Sequence, residues 1–342
     1  MKTLIRYRAA AGLLGVCLAA LIALGQAQPA SAPATAPANP QELLRQLGRR
    51  NIGVHDPSAI IKCKDQYWIF YTGGGSIHSS DMINWVAGPR TFDTAPPWVA
   101  QAGGRGTGFW APDIIRIDNR YMIFLSTSSF GVNTSGIGVA TNPTLDPADP
   151  AYHWTDGGLV VQSRKQDDFN CIDPCAFHDT DGKLWLSFGS FWSGIKLIQL
   201  DPATGRRIAP DSPMYNLAHF DSIEASYLYR HDNYYYLFAS FGLCCRGVNS
   251  TYNTRVGRSE KVTGPYLDKN GKDMLRGGGT LVTGTEGPFI GPGQAGIFEE
   301  NGKSWFSCHF YDGTANGASK LSIRPLTWSQ DGWPVIGKLE PK

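Results

Sequence analysis

The sequence predicts an all-β chain folded as a five-bladed β-propeller, and three observations predict it. Aromatic residues make up 12% of the 342 and Gly reaches 40, while charged residues stop at 18%, a balance suited to many short strands joined by tight turns. One pattern recurs five times: a polar or acidic opening, an apolar strand, a turn rich in Asp, Asn or Gly, and an aromatic returning strand. The recurrences start about 50 to 70 residues apart, which leaves room for two further strands after each hairpin and so for a four-stranded blade.

The first unit, DPSAIIKCKDQYWIFYT, opens at Asp56 and turns near Asp65 and Gln66. The second, PDIIRIDNRYMIFLST, opens at Pro112 and turns at Asp118 and Asn119. The third, IDPCAFHDTDGKLWLSFGS, opens at Ile172, and its Asp181-Gly182 pair is a strong hairpin signal. The fourth, IEASYLYRHDNYYYLFAS, opens at Ile223 and turns at Asp232 and Asn233. The fifth, AGIFEENGKSWFSCHF, opens at Ala295 and turns at Asn301 and Gly302. GIGVATN near Gly136, GIKLIQLD near Gly194 and TRVGRSE near Thr254 supply further strands. A two-sheet sandwich is the competing architecture. It does not explain why the same internal order returns in every unit, whereas blades repeated around an axis do.

Three segments are expected along the chain. Residues 1–27 read as a cleavable secretory signal: Lys2, Arg6 and Arg8 precede an apolar run from Ala9 to Leu24, and small residues follow at Gly25 and Ala27. Residues 28–49 are a Pro/Ala-rich linker and lead-in, and residues 50–342 form the catalytic propeller. The chain is therefore expected to be secreted or periplasmic. No later stretch approaches the roughly 18 apolar residues of a membrane span. A formal net charge of +2, with no basic run beyond the signal, argues against a nucleic-acid partner.

Cysteine usage fits export. Cys63, Cys171, Cys175, Cys244, Cys245 and Cys308 follow the signal, an even number compatible with disulfides in an oxidising compartment. Their pairing is not readable, and Cys171 and Cys175 lack the second ligand pair a zinc site needs.

Propeller geometry gives three acids a meeting point. The innermost strand of each blade lines the central channel, so residues that open those strands converge at one mouth. Asp56, Asp173 and Glu224 hold that opening position in blades one, three and four. Glycoside hydrolysis needs one carboxylic acid to protonate the leaving oxygen and one carboxylate to activate water or to attack. A third carboxylate beside the acid raises its pKa, a role that falls to Asp173. An Asp-Pro dipeptide by itself is also an ordinary turn former, so Asp56 and Asp173 gain their weight from being a set. Glu224 stands among Ile, Ala, Tyr and Leu, where a carboxylate must be solvated by a cleft or paired.

Six segments together resemble a known family. HDPSAI at His55, TGFWAPDI at Thr107, NCIDPCAF at Asn170, FGSFWSGIKL at Phe188, SIEASYLY at Ser222 and CCRGVNSTYNTRVGRS at Cys244 look like the family 43 glycoside hydrolases, and within them the endo-1,5-α-L-arabinanases. The resemblance spans residues 50–338. It implies an inverting propeller that cuts linear arabinan from pectin, with Asp56 as general base, Glu224 as general acid and Asp173 tuning and orienting the acid. Inversion implies acid and base carboxyls roughly 6.5 to 9.5 Å apart, with water between them.

Substrate contacts carried over by motif are Asn170, Cys171 and Ile172, then Ser190, Phe191 and Trp192, with Gly136 as a looser match. Phe109 and Trp110 are candidates for stacking on sugar faces. His309, in SWFSCHFYD, matches a histidine near the axis that helps hold a hydrated calcium, whose oxygen-preferring shell is filled mostly by water. No organic cofactor is expected, and the enzyme is expected to act as a monomer. The same family implies two neighbouring activities, β-xylosidase and α-L-arabinofuranosidase. A non-catalytic glycan-binding propeller requires a missing carboxylate, and all three are present.

Overall fold

Each of the five units folds into one antiparallel four-stranded sheet in simple meander order. The structure is a computed structural model that describes residues 52–337, so the expected signal and linker lie outside the described residues. Blade 1 holds β1 (Ile61–Cys63), β2 (Gln66–Tyr71), β3 (Gly75–Ser79) and β4 (Val86–Gly88). A short helix, α1 (Pro97–Gln101), leads to blade 2: β5 (Trp110–Ile117), β6 (Arg120–Thr127), β7 (Ser135–Asn142) and β8 (Thr155–Ser163). Blade 3 has β9 (Cys175–His178), β10 (Leu184–Phe188), β11 (Ile195–Leu200) and β12 (Met214–Ala218). Blade 4 has β13 (Ile223–His231), β14 (Tyr234–Phe241), β15 (Asn253–Ser259) and β16 (Thr280–Thr283). Blade 5 has β17 (Phe289–Glu300), β18 (Lys303–Asp312), β19 (Ala318–Trp328) and β20 (Pro334–Ile336).

The expected turns fall in place, and the backbone explains their residues. Asp118, Asp232 and Asn301 each open a hairpin loop with φ of 52, 50 and 53°. Asp and Asn tolerate that left-handed conformation better than most residues. In blade 1 the left-handed residue is Lys64, at 52°, and Gln66 already belongs to β2. The fifth inner strand begins at Phe289, six residues before the expected Ala295, because two register shifts carry β17 through the Gly-Pro-Gly segment.

Five apolar clusters seal five blade interfaces. Phe70, Trp98, Phe109 and Ile123 join blades 1 and 2; Met122, Phe124, Leu186 and Phe188 join blades 2 and 3; Trp185, Leu197, Leu237 and Phe241 join blades 3 and 4. Phe238, Val256, Phe306 and Cys308 join blades 4 and 5. Ile60 and Ile69 meet Leu321 and Ile323 between blades 5 and 1, which closes the ring. Each such side chain contributes about 1.5 to 3 kcal/mol by leaving water, so closure is worth several times any single hydrogen bond across it. Asp113 of the FWAPD segment ties the inner strands together: its carboxyl accepts the Ala176 amide at 2.8 Å. Burial lifts its pKa to about 7, although the backbone amides of Ala176, Ile114 and Ala59 oppose the rise.

Among the described residues, no two cysteines are bonded to one another. No helix among them is long and apolar enough to cross a membrane.

Candidate active site

Residues from all five blades line one cleft of about 1090 Å³, and Asp56, Asp173 and Glu224 are among them. A repeated backbone device places these acids. Asp56 and Asp173 precede their blades' first strands in the left-handed conformation, at φ 48 and 59°, and Gln294, inside β17 of blade 5, adopts it at 59°. In each case the amide is held by the second strand of the preceding blade: Asp56 by His309 Nδ1 at 3.1 Å, Asp173 by Ser126 Oγ at 3.1 Å and Gln294 by Ser240 Oγ at 3.0 Å.

Blade 4 departs from the device by one residue. Ala225, at φ 53°, takes the left-handed turn, and its amide donates to Asp173 Oδ2 at 3.2 Å. Glu224 stands just before that turn, where a register shift between Glu224 and Tyr227 marks a bulge that re-aims side chains. Asp173 therefore grips the backbone of the residue next to Glu224.

The three carboxyls sit in different fields. Burial works to raise Asp56, but the charge and hydrogen bond of His55 outweigh it and hold the carboxylate at about 2; the His55 Nδ1 to Asp56 Oδ2 distance is 2.7 Å. Thr72 Oγ1 donates to the same oxygen at 2.7 Å. His55 in turn rises to about 10, since the Asp56 charge overcomes the burial that would lower it. Glu224 is pushed up, first by burial and then by Asp56, against the hydrogen bonds of Ser190 and Tyr252. Ser190 Oγ donates to Glu224 Oε2 at 2.6 Å, and Tyr252 Oη contacts Oε1. Asp173 is pushed well up by burial, then by Glu224 and Asp56. The arrangement keeps one carboxylate ionised and holds a proton on the Asp173 and Glu224 pair well above the usual carboxylate range.

Tyr252 reaches Glu224 because Gly293 stands behind it: a Cβ on Gly293 would meet the Tyr252 ring at 2.2 Å.

Most residues expected at the site line the cleft. Asn170, Ile172, Ser190, Phe191, Trp192 and Trp110 all do. Asn170 Oδ1 is fixed by Ser135 Oγ at 2.7 Å, and Phe191 and Trp192 form a left-handed turn at φ 52 and 38° that leaves Trp192 41% exposed. Backbone held in such conformations collects at binding sites.

Three residues expected as contacts do not line the cleft. Phe109 is 2% exposed and packs on Trp98 at 5.9 Å between blades 1 and 2, while its neighbour Trp110 faces the cleft. Cys171 is fully buried between blades 2 and 3, because strand-like alternation turns it away from the face that Asn170 and Ile172 present. Gly136 lies inside β7, where an added Cβ would meet Ala102 at 2.6 Å, so it packs against the residue that ends α1; its neighbour Ser135 is the one that bonds Asn170.

The cleft also contains residues that carried no expected role. His55, Thr72, Tyr252 and Tyr311 touch the acids or their partners, and Phe130, 81% exposed, stands near Trp110 at 6.2 Å between ring centres. His55 and Tyr252 fall inside the family-like segments HDPSAI and CCRGVNSTYNTRVGRS, and that adjacency is the signal that could find them.

His309 is buried, 4.3 Å from the His55 ring, and burial with the His55 charge pulls it down to about 3, so the ring is neutral. Its Nε2 has no hydrogen-bond partner among the described residues. Ligand atoms of His55, Asp56 and His309 lie within 4.8 Å of one another. A neutral ring offers one lone pair. If Nδ1 accepts the Asp56 amide, Nε2 carries the proton; if Nε2 meets a cation, the Nδ1 proton faces Asp56 Oδ1, 3.5 Å away. An ion at Nε2 would need the second tautomer, which gives up the bond from the Asp56 amide to Nδ1.

A radial ring of sheets with an ionised carboxylate and a proton-holding acid pair in one cleft has the groups of a glycoside hydrolase. The chain belongs to family 43 of the glycosyl hydrolases, whose sequence profile matches residues 51–334. It is similar to the extracellular exo-α-(1→5)-L-arabinofuranosidase ArbA of Cellvibrio japonicus, at 40% identity over 86% of this chain and 89% of that protein. It is also similar to the extracellular endo-α-(1→5)-L-arabinanase 1 of Bacillus subtilis, at 40% identity over 84% of this chain and 88% of that protein. Among solved structures, an α-L-arabinanase of Cellvibrio cellulosa complexed with arabinohexaose superposes with a TM-score of 0.80 at 39% identity, covering 84% of this chain and 96% of the other. The chain is a glycosidase.

Proposed function

We propose that the chain hydrolyses α-1,5-linked arabinan outside the cell with inversion at the anomeric carbon. Asp56 acts as base, Glu224 as acid, and Asp173 orients and tunes Glu224. The observation that carries this reading is the joint lining of one cleft by three carboxyls from blades 1, 3 and 4, one of them kept ionised by its bond to His55. Water attacks the anomeric carbon from the Asp56 side and passes a proton to that carboxylate. The glycosidic C–O bond breaks on the opposite face as Glu224 gives its proton to the departing oxygen. Asp173 keeps hold of the Ala225 amide throughout, so Glu224 keeps its aim.

Trp110, Phe191 and Trp192 offer apolar ring area to sugar faces, and Asn170 and Ser190 offer polar atoms to hydroxyls. Export is supported by the signal-like N-terminus and by relatives named extracellular. His309 Nε2 is the protein atom that would hold an ion, calcium with a water shell; such an ion supplies a fixed positive charge beside the base.

The test is substrate choice. Purified enzyme should release reducing sugar from linear arabinan much faster than nitrophenol from nitrophenyl β-xyloside. Faster release from the xyloside would overturn the arabinan reading.

A further inference from the structure

After β14 the chain passes over the lip of the cleft, and there Cys244 and Cys245 point their sulfurs at one another, Sγ to Sγ 2.6 Å. A line of hydrogen bonds runs from this dipeptide to the proposed base. The Cys245 amide donates to Tyr311 Oη at 2.7 Å, Tyr311 Oη lies 2.8 Å from His55 Nε2, and His55 Nδ1 lies 2.7 Å from Asp56 Oδ2. Cys245 Sγ itself is 3.8 Å from His55 Nε2. Cys245 is exposed, whereas Cys63, Cys171, Cys175 and Cys308 are buried.

We propose that Cys244 and Cys245 are a redox pair that closes into a vicinal disulfide at the lip of the cleft, locking the peptide whose amide holds Tyr311 against His55. The inference rests on the proposed reading of Asp56 only for its effect on activity; the bond itself does not depend on that reading.

The chemistry is thiol–disulfide exchange with an oxidised dithiol, the usual oxidant of an exporting compartment. The Cys245 thiolate attacks one sulfur of the oxidant and releases the other as a thiol, giving a mixed disulfide. Cys244, as thiolate, then displaces the second sulfur. One S–S bond forms, and two electrons and two protons leave the pair for the oxidant. Cys245 suits the attacking role because it is accessible and because the Cys244 hydrogen bond and the His55 charge hold its thiol down to about 5 against burial. Chain neighbours have Cα atoms about 3.8 Å apart, below the roughly 4.4 to 6.8 Å usual for a disulfide, so the ring is strained and readily reduced. Closure is therefore reversible, unlike that of an ordinary structural disulfide.

Intact mass decides the bond. Full-length protein exported and purified without reductant should gain about two mass units on mild reduction, for two hydrogens, and only then take up iodoacetamide at Cys244 and Cys245. Cys244→Ser and Cys245→Ser should each show no gain, with circular dichroism confirming the fold. Uptake of iodoacetamide at both positions before reduction, with no mass gain afterwards, would overturn the proposal. Reduction should also lower kcat/KM on linear arabinan about threefold or more, reversed by reoxidation, while the double serine variant ignores the reductant. A mass gain with unchanged kcat/KM would overturn the link to His55. If arabinan proved not to be the substrate, the mass measurement would still stand.

Discussion

His55 Nδ1 lies 2.7 Å from Asp56 Oδ2, although the two residues are neighbours in the chain. In an extended segment such neighbours point to opposite faces. The left-handed backbone of Asp56 removes that alternation and folds its carboxylate back onto the imidazole. Burial opposes both charges, and each compensates for the other. Replacing His55 with Gln removes the compensating charge and keeps much of the shape. Steady-state kinetics on linear arabinan should show kcat/KM lower by about 10²-fold, mostly in kcat. A variant within twofold of the parent would mean that His55 does not govern Asp56.

Asp173 acts on Glu224 through charge and through the Ala225 amide. Asp173→Asn removes the carboxyl that shares a proton with Glu224, and with it the like-charge repulsion that delays the pair's last ionisation, so Glu224 should surrender its proton at lower pH. The basic limb of the kcat/KM profile should move to lower pH, with kcat reduced by about 10²-fold. A limb that stays in place would assign the tuning elsewhere.

Glu224→Gln should cost about 10²-fold or more in turnover and yet stabilise the fold at alkaline pH. The sign follows from linkage. The folded-state pKa of Glu224 is raised above its unfolded value, so its contribution is fully present at low pH and is lost as pH rises through the folded value. Gln never ionises and escapes that loss. Differential scanning calorimetry at pH 8 should place the variant's Tm about 2 °C above the parent, with the gap closing by pH 4. A lower Tm at pH 8 would argue that the carboxylate is not strained there.

An ion at His309 Nε2 should register in stability before it registers in chemistry. Chelation should lower Tm, calcium should restore it, and His309→Gln should remove the response. Identical melting curves with and without chelator would argue against an ion at this ring.

The blades were legible because strand alternation and turn residues repeat, so five weak signals reinforced one another. The acids were legible for the same reason, since Asp56 and Asp173 recur at equivalent positions. What stayed hidden depends on facing. Phe109 and Trp110 are both aromatic and adjacent, and nothing local says which one turns to the cleft. Cys171 between Asn170 and Ile172 poses the same problem. Tyr252 comes from the loop before β15, and Tyr311 stands near the end of β18, past the recurring aromatic pattern, so repetition gave no help. Tyr252 depends besides on the missing side chain of Gly293, a contact between distant parts of the chain.

The stereochemistry of the first product tests most directly whether Asp56 and Glu224 work on opposite faces of one bond. Proton NMR of linear arabinan during the first turnovers should show the β-anomer of the new reducing end appearing first, followed by slow mutarotation. Initial accumulation of the α-anomer would contradict the account.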